Sequence, residues 1–238
     1  MTKFIFSCEH GGYEIPEEFQ SYFRGKENVL LSHRGWDRGA LEIGKYISRR
    51  ADSKLIASSI SRLLIESNRT LQHEDLFSEF SKIMPQEIQQ QLIEEYYLPY
   101  RAKLERKIEQ HLQHNHKVIH LSFHSFTPVL NGETRKTEIG ILFDPANLLE
   151  QEFALAWKES IEDKIDSWRI KFNYPYKGTD DGLTTYFRAK YPKNYAGLEL
   201  EVNTKLMDCY PMHQISNWVF PPLFNRNGAN LADGKQGR

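Results

Sequence analysis

Two imidazoles, two carboxylates and an Asn-Arg pair stand where apolar runs of this sequence stop. His10 follows "KFIFSCE" and precedes two glycines, and Asp37 separates "SHRGW" from a stretch of helical periodicity. Asn68 and Arg69 close "SRLLIESNR", His124 closes "VIHLSFH", and Glu201 lies within "LELEVN". Two imidazoles and a carboxylate are a usual ligand set for catalytic zinc, leaving a fourth position for water. A further carboxylate can serve as general base. Each residue also has a plainer role open to it. A strand-end His is commonly a hydrogen-bonded core or rim residue, Asp37 suits a helix N-cap, and Glu201 suits an ion pair with Lys or Arg. No HExxH or paired CxxC pattern is present.

For these groups to act together, strand ends and helix starts must converge on one crevice. The runs "FIFSC", "KLIAS", "SRLLIES", "KVIHLSFHSF", "EIGILFDP", "IKFNY" and "AGLELEVN" read as strands. Helical periodicity covers residues 37–51, where Leu41, Tyr46 and Ile47 lie near one face with Ile43 and Ala40 beside it. It returns over 85–113, as one long helix or two meeting near Pro99, and over 147–168. This order predicts an α/β sheet with helices packed on its faces. The segment "YPYKGTDDGL" reads as a long turn whose glycines would let it close over a site, with Tyr186 contributing a hydroxyl.

Composition limits the partners. The chain has 238 residues, with 31 Lys plus Arg against 32 Asp plus Glu, so it lacks the basic balance of a nucleic-acid binder. The length fits a single domain over residues 1–227, with 228–238 as a mobile tail. No apolar run approaches the roughly 18 residues of a membrane span and no secretory leader is legible, which predicts a soluble, cytoplasmic protein. Cys8 and Cys209 could make one bridge at most, and no base pairs with Cys8 in an evident motif. The four tryptophans read as packing residues. His111, His114 and His116 fall where a polar helix ends, with metal binding there the lesser reading, and His120 reads as a buried structural histidine, with support of a metal shell beside His124 as the alternative.

The ordered set "CEHGG", "HRGWDRGA", "SRLLIESNR", "HSF" and "GLELEVN" resembles the N-formylglutamate amidohydrolase family, over about Ile5 to Asn203. That family is similar in fold to the zinc carboxypeptidases. The resemblance implies an α/β domain with a mixed central sheet and helices on both faces, of the phosphorylase/hydrolase-like kind. It implies His10, Asp37 and His124 as ligands of one zinc ion and Glu201 as general base, with Asn68 and Arg69 as binders of a substrate carboxylate. Two positions depart from the family pattern: Glu9 stands where the family has Pro, and Glu66 where it has Asp. Glu14 is the alternative third ligand, by analogy with the carboxypeptidases. Glu199 shares a strand face with Glu201 and is its rival as base.

The expected chemistry is hydrolysis of the N-acyl amide of an amino acid, with N-formylglutamate or a relative as substrate. Arg69 offers a planar fork for a carboxylate, and Arg135 and Arg188 are further candidate contacts or else solvated surface charges. A carboxypeptidase-like hydrolase of a short peptide or other amide is the alternative activity. A carboxylate-binding protein that has lost hydrolysis is the alternative of a different class.

Overall fold

A computed structural model of the chain describes residues 1–220. Its first half runs β1 (Thr2–Cys8), a 3-10 segment (Glu17–Phe23), α1 (Glu27–Leu30), α2 (Ala40–Arg50), β2 (Leu55–Ala57), α3 (Gln86–Leu92), a π-helical turn (Ile93–Tyr97) and α4 (Leu98–Leu112). Then come β3 (Lys117–Phe126), a small hairpin of β4 (Val129–Leu130) and β5 (Glu133–Thr134), β6 (Ile139–Leu142) and α5 (Leu148–Glu162). The chain continues through β7 (Ile170–Phe172), α6 (Leu183–Lys190), β8 (Tyr195–Asn203), α7 (Lys205–Cys209) and α8 (Met212–Val219). The expected tail at 228–238, and residues 221–227 before it, lie outside the described residues.

Among the described residues the sheet has six strands, in the order β2-β1-β3-β8-β6-β7. Neighbours pair in parallel except β6 with β8, so the sheet is mixed. From β1 the chain goes first to β2 on one side and later to β3 on the other. The ends of β1 and β3 therefore flank a topological switch point, where open α/β sheets form crevices.

Alternation along the central strands decides what each face carries. Ile119, Leu121 and Phe123 of β3 join Ala196, Leu198, Leu200 and Val202 of β8 in a core that α2, α5 and α8 cover with Ile43, Ile47, Phe153, Trp157, Ile215 and Val219. On the opposite face Val118 and Tyr195 meet Tyr100, Leu104 and Ile108 of α4 and Leu183 and Phe187 of α6. Further along that second face the strands turn polar, with Ser122 and His124 on β3 and Glu199 and Glu201 on β8. Fully burying a side chain of Leu or Phe size contributes about 1.5–3 kcal/mol, so the apolar face sets the register and the polar residues follow it.

Two expected elements differ in form, and a third takes one of its two expected forms. Residues 61–67 make turns instead of a strand: the Leu64 N–H bonds to the Ser61 carbonyl and the Glu66 N–H to the Leu76 carbonyl, both at 2.9 Å. Leu63, Leu64 and Ile65 pack with Phe19, Phe23, Leu76, Met84 and Leu92, which explains the apolar run. The helix at 85–113 is continuous, and its wide turn falls just before Pro99, which has no N–H to give to a regular ladder. The helix expected over 147–168 starts at an Asn147 cap, whose Oδ1 accepts from the Leu149 and Glu150 N–H groups at 3.1 and 3.2 Å. It ends at Glu162, and Trp168 reaches the core from the turn beyond.

Candidate active site

The turn after β1 explains the "HGG" sequence. A Cβ on Gly12 would lie 2.4 Å from the Ser59 carbonyl oxygen, and one on Gly11 would lie 2.9 Å from that of Ser58. Only glycine lets the chain run this close to the segment after β2. Held there, the His10 carbonyl accepts from the Asp37 N–H at 3.0 Å. The Asp37 side chain does not cap α2, whose N-cap residue is Gly39 at φ +81° with no side-chain cap. It turns to the histidines instead.

His10 Nδ1 lies 3.3 Å, and His124 Nδ1 3.0 Å, from the same Asp37 Oδ2. One ligand atom from each residue can be chosen so that all three lie within 4.8 Å of one another, and all three residues are buried. Among the described residues this is the one such group of His, Cys, Asp and Glu. Two imidazole nitrogens and a carboxylate oxygen around one point suit a divalent cation such as zinc. Glu14 is elsewhere, accepting from Ser59 Oγ at 2.6 Å, and is not part of this group. The cluster of His111, His114 and His116 forms no comparable group.

Each imidazole is backed on its far nitrogen by a buried carboxylate. Glu66 Oε1 lies 2.5 Å from His10 Nε2, and Glu9 Oε2 lies 3.2 Å from His124 Nε2. Arg62 donates through Nε to Glu66 Oε2 at 2.7 Å and places NH1 3.6 Å from Asp37 Oδ1. Carboxylate–imidazole–metal chains of this kind fix ring orientation and raise ligand basicity. Burial alone would raise the carboxyls and lower the imidazoles. The charges and hydrogen bonds of the cluster overcome it: Asp37, Glu9 and Glu66 are held well below the usual carboxylate range, and His10 and His124 are raised.

Glu201 is the exception. Burial, with the charges of Asp37 and Glu199 adding to it, pushes its carboxyl up to about 8. Its Oε2 is buried without a hydrogen-bond partner among the described residues. Glu201 pairs across the ladder with His124 on one side and Gly140 on the other. Glu199, by contrast, accepts from Thr184 Oγ1 at 2.7 Å. The other Glu199 oxygen lies 3.9 Å from His124 Nε2 in the same cleft, so what sets Glu201 apart is an oxygen that is both buried and unpartnered among the described residues.

The shifts set a pH dependence for protein stripped of metal by a chelator. Between the ordinary Glu value of 4.5 and about 8 the folded state holds a proton on Glu201 that the unfolded chain has lost. Stability therefore falls as pH rises through that window, by at most about 1.4 kcal/mol per pH unit for one proton. The raised histidines act in the same direction, their contribution being full below about 6.5 and lost as they deprotonate. Urea unfolding from about pH 5 to about pH 8 should show this decline, and Glu201→Gln should flatten it and be the more stable protein at the alkaline end. An unchanged slope in the variant would remove Glu201 as a source of the effect.

The cleft over these residues is also lined by His33, Asn68, Arg69, Arg135, Tyr176 and Asp181. Asn68 Oδ1 accepts from the Leu183 N–H at 2.7 Å, and Arg69 NH1 donates to the Asp181 carbonyl. Both residues thus tie the 61–69 turn to the loop before α6, and that loop forms a wall of the cleft. Tyr186 does not reach in: its ring lies 4.4 Å from the Arg101 guanidinium carbon. Arg135 lies 5.8 Å over both Phe126 and Tyr176, and no ion pair of its guanidinium is found among the described residues. Arg188 is placed neither in the cleft nor as a solvated surface charge. Its Nε and NH2 donate to the two oxygens of the buried Glu150 at 2.9 and 3.0 Å, a bidentate pair that locks α6 to α5 and leaves no fork for a ligand.

Arg62, Glu66 and Glu9 were not assigned roles at the cluster from sequence. Arg62 has one signal in the sequence, its place at the start of the apolar run in "SRLLIES", and Glu9 and Glu66 are visible as departures from the family pattern. His120, between Ser7 Oγ and Tyr195 OH at 2.8 Å each, is pushed down to about 4, chiefly by burial, and is a structural histidine. Cys8 is buried with its thiol pushed up by burial, and Cys209 is exposed; both are free.

A mixed six-stranded sheet with helices on both faces, and a buried His–Asp–His cluster in a cleft at its strand ends, defines an α/β enzyme scaffold. The family model of N-formylglutamate amidohydrolase matches residues 2–207, and the chain belongs to that family of hydrolases. A crystal structure of a gene product from Agrobacterium tumefaciens superposes with a TM-score of 0.78 at 23% identity, covering 93% of this chain and 88% of that one. The crystal structure of N-formylglutamate amidohydrolase from Ralstonia eutropha JMP134 superposes with a TM-score of 0.69 at 16% identity, covering 93% of this chain and 92% of its own. No curated protein matches the chain. No helix among the described residues is long and apolar enough to cross a membrane.

Proposed function

We propose that this protein is a zinc-dependent amidohydrolase that cleaves the N-acyl amide of an amino acid, foremost N-formylglutamate or a close relative. The observation that carries this reading is the buried, unpartnered Glu201 oxygen in the same cleft as His10, Asp37 and His124. His10, Asp37 and His124 are the residues that would hold the ion. Bound there, zinc would polarise the scissile carbonyl and make a water molecule acidic near neutral pH.

The chain's own residues do the rest. Glu201, as carboxylate, takes a proton from the attacking water, whose oxygen bonds to the acyl carbon. It then returns that proton to the amine as the C–N bond breaks, giving the free amino acid and a carboxylic acid. A base inside this cleft works near neutral pH because burial holds its carboxyl close to that range. Arg69 and Arg135 face the same cleft and bind the carboxylates of the substrate, Arg69 through two parallel hydrogen bonds.

Turnover of N-formyl-L-glutamate by zinc-loaded protein, compared with other N-acyl amino acids and short peptides, tests the reading. Faster cleavage of peptides would favour a carboxypeptidase-like activity, and bound zinc with no turnover would favour a binding protein. Arg69→Lys keeps the charge and loses the fork, so kcat/KM on carboxylate substrates should fall roughly ten- to hundredfold with zinc content unchanged. A substrate with its carboxylate converted to an amide should react poorly with the unaltered enzyme and be nearly indifferent to the change. Equal rates on acid and amide would dismiss the carboxylate clamp.

A further inference from the structure

We propose that Glu9 is a positioning residue that fixes which nitrogen His124 turns to the metal, an inference that rests on reading His10, Asp37 and His124 as a zinc site. Glu9 is 1% exposed, directly beyond β1. Its Oε1 accepts from Tyr100 OH at 2.9 Å, and its Oε2 accepts from Ser122 Oγ. The same Ser122 Oγ lies 2.9 Å from His124 Nε2, and Glu9 Oε2 lies 3.2 Å from that nitrogen.

An inventory of protons makes this arrangement directional. A serine hydroxyl has one hydrogen and a carboxylate none. Once Ser122 has given its hydrogen to Glu9, the Ser122–His124 contact needs a hydrogen from the imidazole, and so does the contact of Glu9 with the ring. Both place a proton on Nε2. In the neutral ring that liganding requires, Nδ1 then carries the lone pair, and Nδ1 is the nitrogen facing Asp37 Oδ2 at 3.0 Å. Glu9 thus selects the tautomer, and its charge makes the ring a stronger donor to the ion.

Tyr100 separates this role from a packing role. Its hydroxyl binds the other oxygen of Glu9 and the Ile56 carbonyl, away from His124. Tyr100→Phe should reduce stability while leaving zinc affinity and the His124 tautomer as they were. Glu9→Gln keeps the shape, and its amide oxygen can still accept from Ser122, but the charge is gone. Zinc affinity, measured by competition with a coloured chelator, should fall roughly ten- to hundredfold in Glu9→Gln. Nitrogen-15 spectra of the zinc-loaded full chain should show His124 protonated at Nε2 and metallated at Nδ1, a readout that needs no variant to fold. Metallation at Nε2, or Glu9→Gln with unaltered zinc affinity, would overturn the proposal. An unaltered protein that binds no zinc would instead overturn the metal reading beneath it.

Discussion

Glu201→Gln is expected to keep its zinc and lose turnover by roughly two to four orders of magnitude. The amide has the size of the carboxyl but cannot take up a proton, and the site gives the replacement little reason to rearrange. Glu201 Oε2 has no partner among the described residues to lose, and the residue is buried beside a strand neighbour without a side chain, Gly140. Metal analysis and single-turnover hydrolysis on the same preparation check both halves. Loss of zinc together with activity would make Glu201 a ligand. Full activity in Glu201→Gln with a collapse in Glu199→Gln would move the base two residues along β8, where Thr184 now holds the carboxylate.

Asp37→Ala is expected to abolish metal binding and to reduce activity to that of the chelated enzyme. His124→Ala should do the same. Asp37 Oδ2 faces Nδ1 of both His10 and His124, so its removal takes away one candidate donor and also the negative charge that offsets two imidazoles brought close together. Their rings are 5.2 Å apart, centroid to centroid. The unaltered protein should gain thermal stability on adding zinc, by an amount that grows with the free ion concentration, and Asp37→Ala should gain nothing. A variant that still binds one ion with comparable strength would require a substitute ligand, with Glu14 the first to examine.

The strand ends were legible because apolar alternation and titratable residues coincide in "KVIHLSFHSF" and "AGLELEVN", and β3 and β8 follow those runs closely. Asp37 was ambiguous from sequence because a carboxylate before a helix has a local use as well as a distant one. The structure shows Gly39 starting α2 instead, which leaves the side chain free to face His10 and His124. The run at 61–67 reads as a strand in sequence yet folds as turns, for a definable reason. Its apolar residues serve a separate cluster under α3, and nothing in a run of Leu-Leu-Ile says whether a sheet or a pocket receives it. Glu9 and Glu66 stood out only as departures from a motif. Their partners are His124 and His10, 115 and 56 residues away in sequence, and no local pattern encodes such pairings. Arg188 looked like a surface charge because Glu150, its buried counterpart, lies on another helix.

The alternation on β3 ties manufacture to performance. If β3 paired with β1 one residue out of step, every side chain would change face. Phe123, Leu121 and Ile119 would meet the cleft, and His124 and Ser122 would be pressed into oil. The misaligned chain would forfeit its core and its chemistry together, so it could not persist as a well-folded but inert species. Cellular surveillance that removes molecules with exposed apolar strands would, without any test of catalysis, clear the dead ones too. In a purified sample, the fraction that passes a folding assay should therefore also be the fraction with an assembled site, and specific activity should track soluble yield across substitutions in the apolar half of this strand.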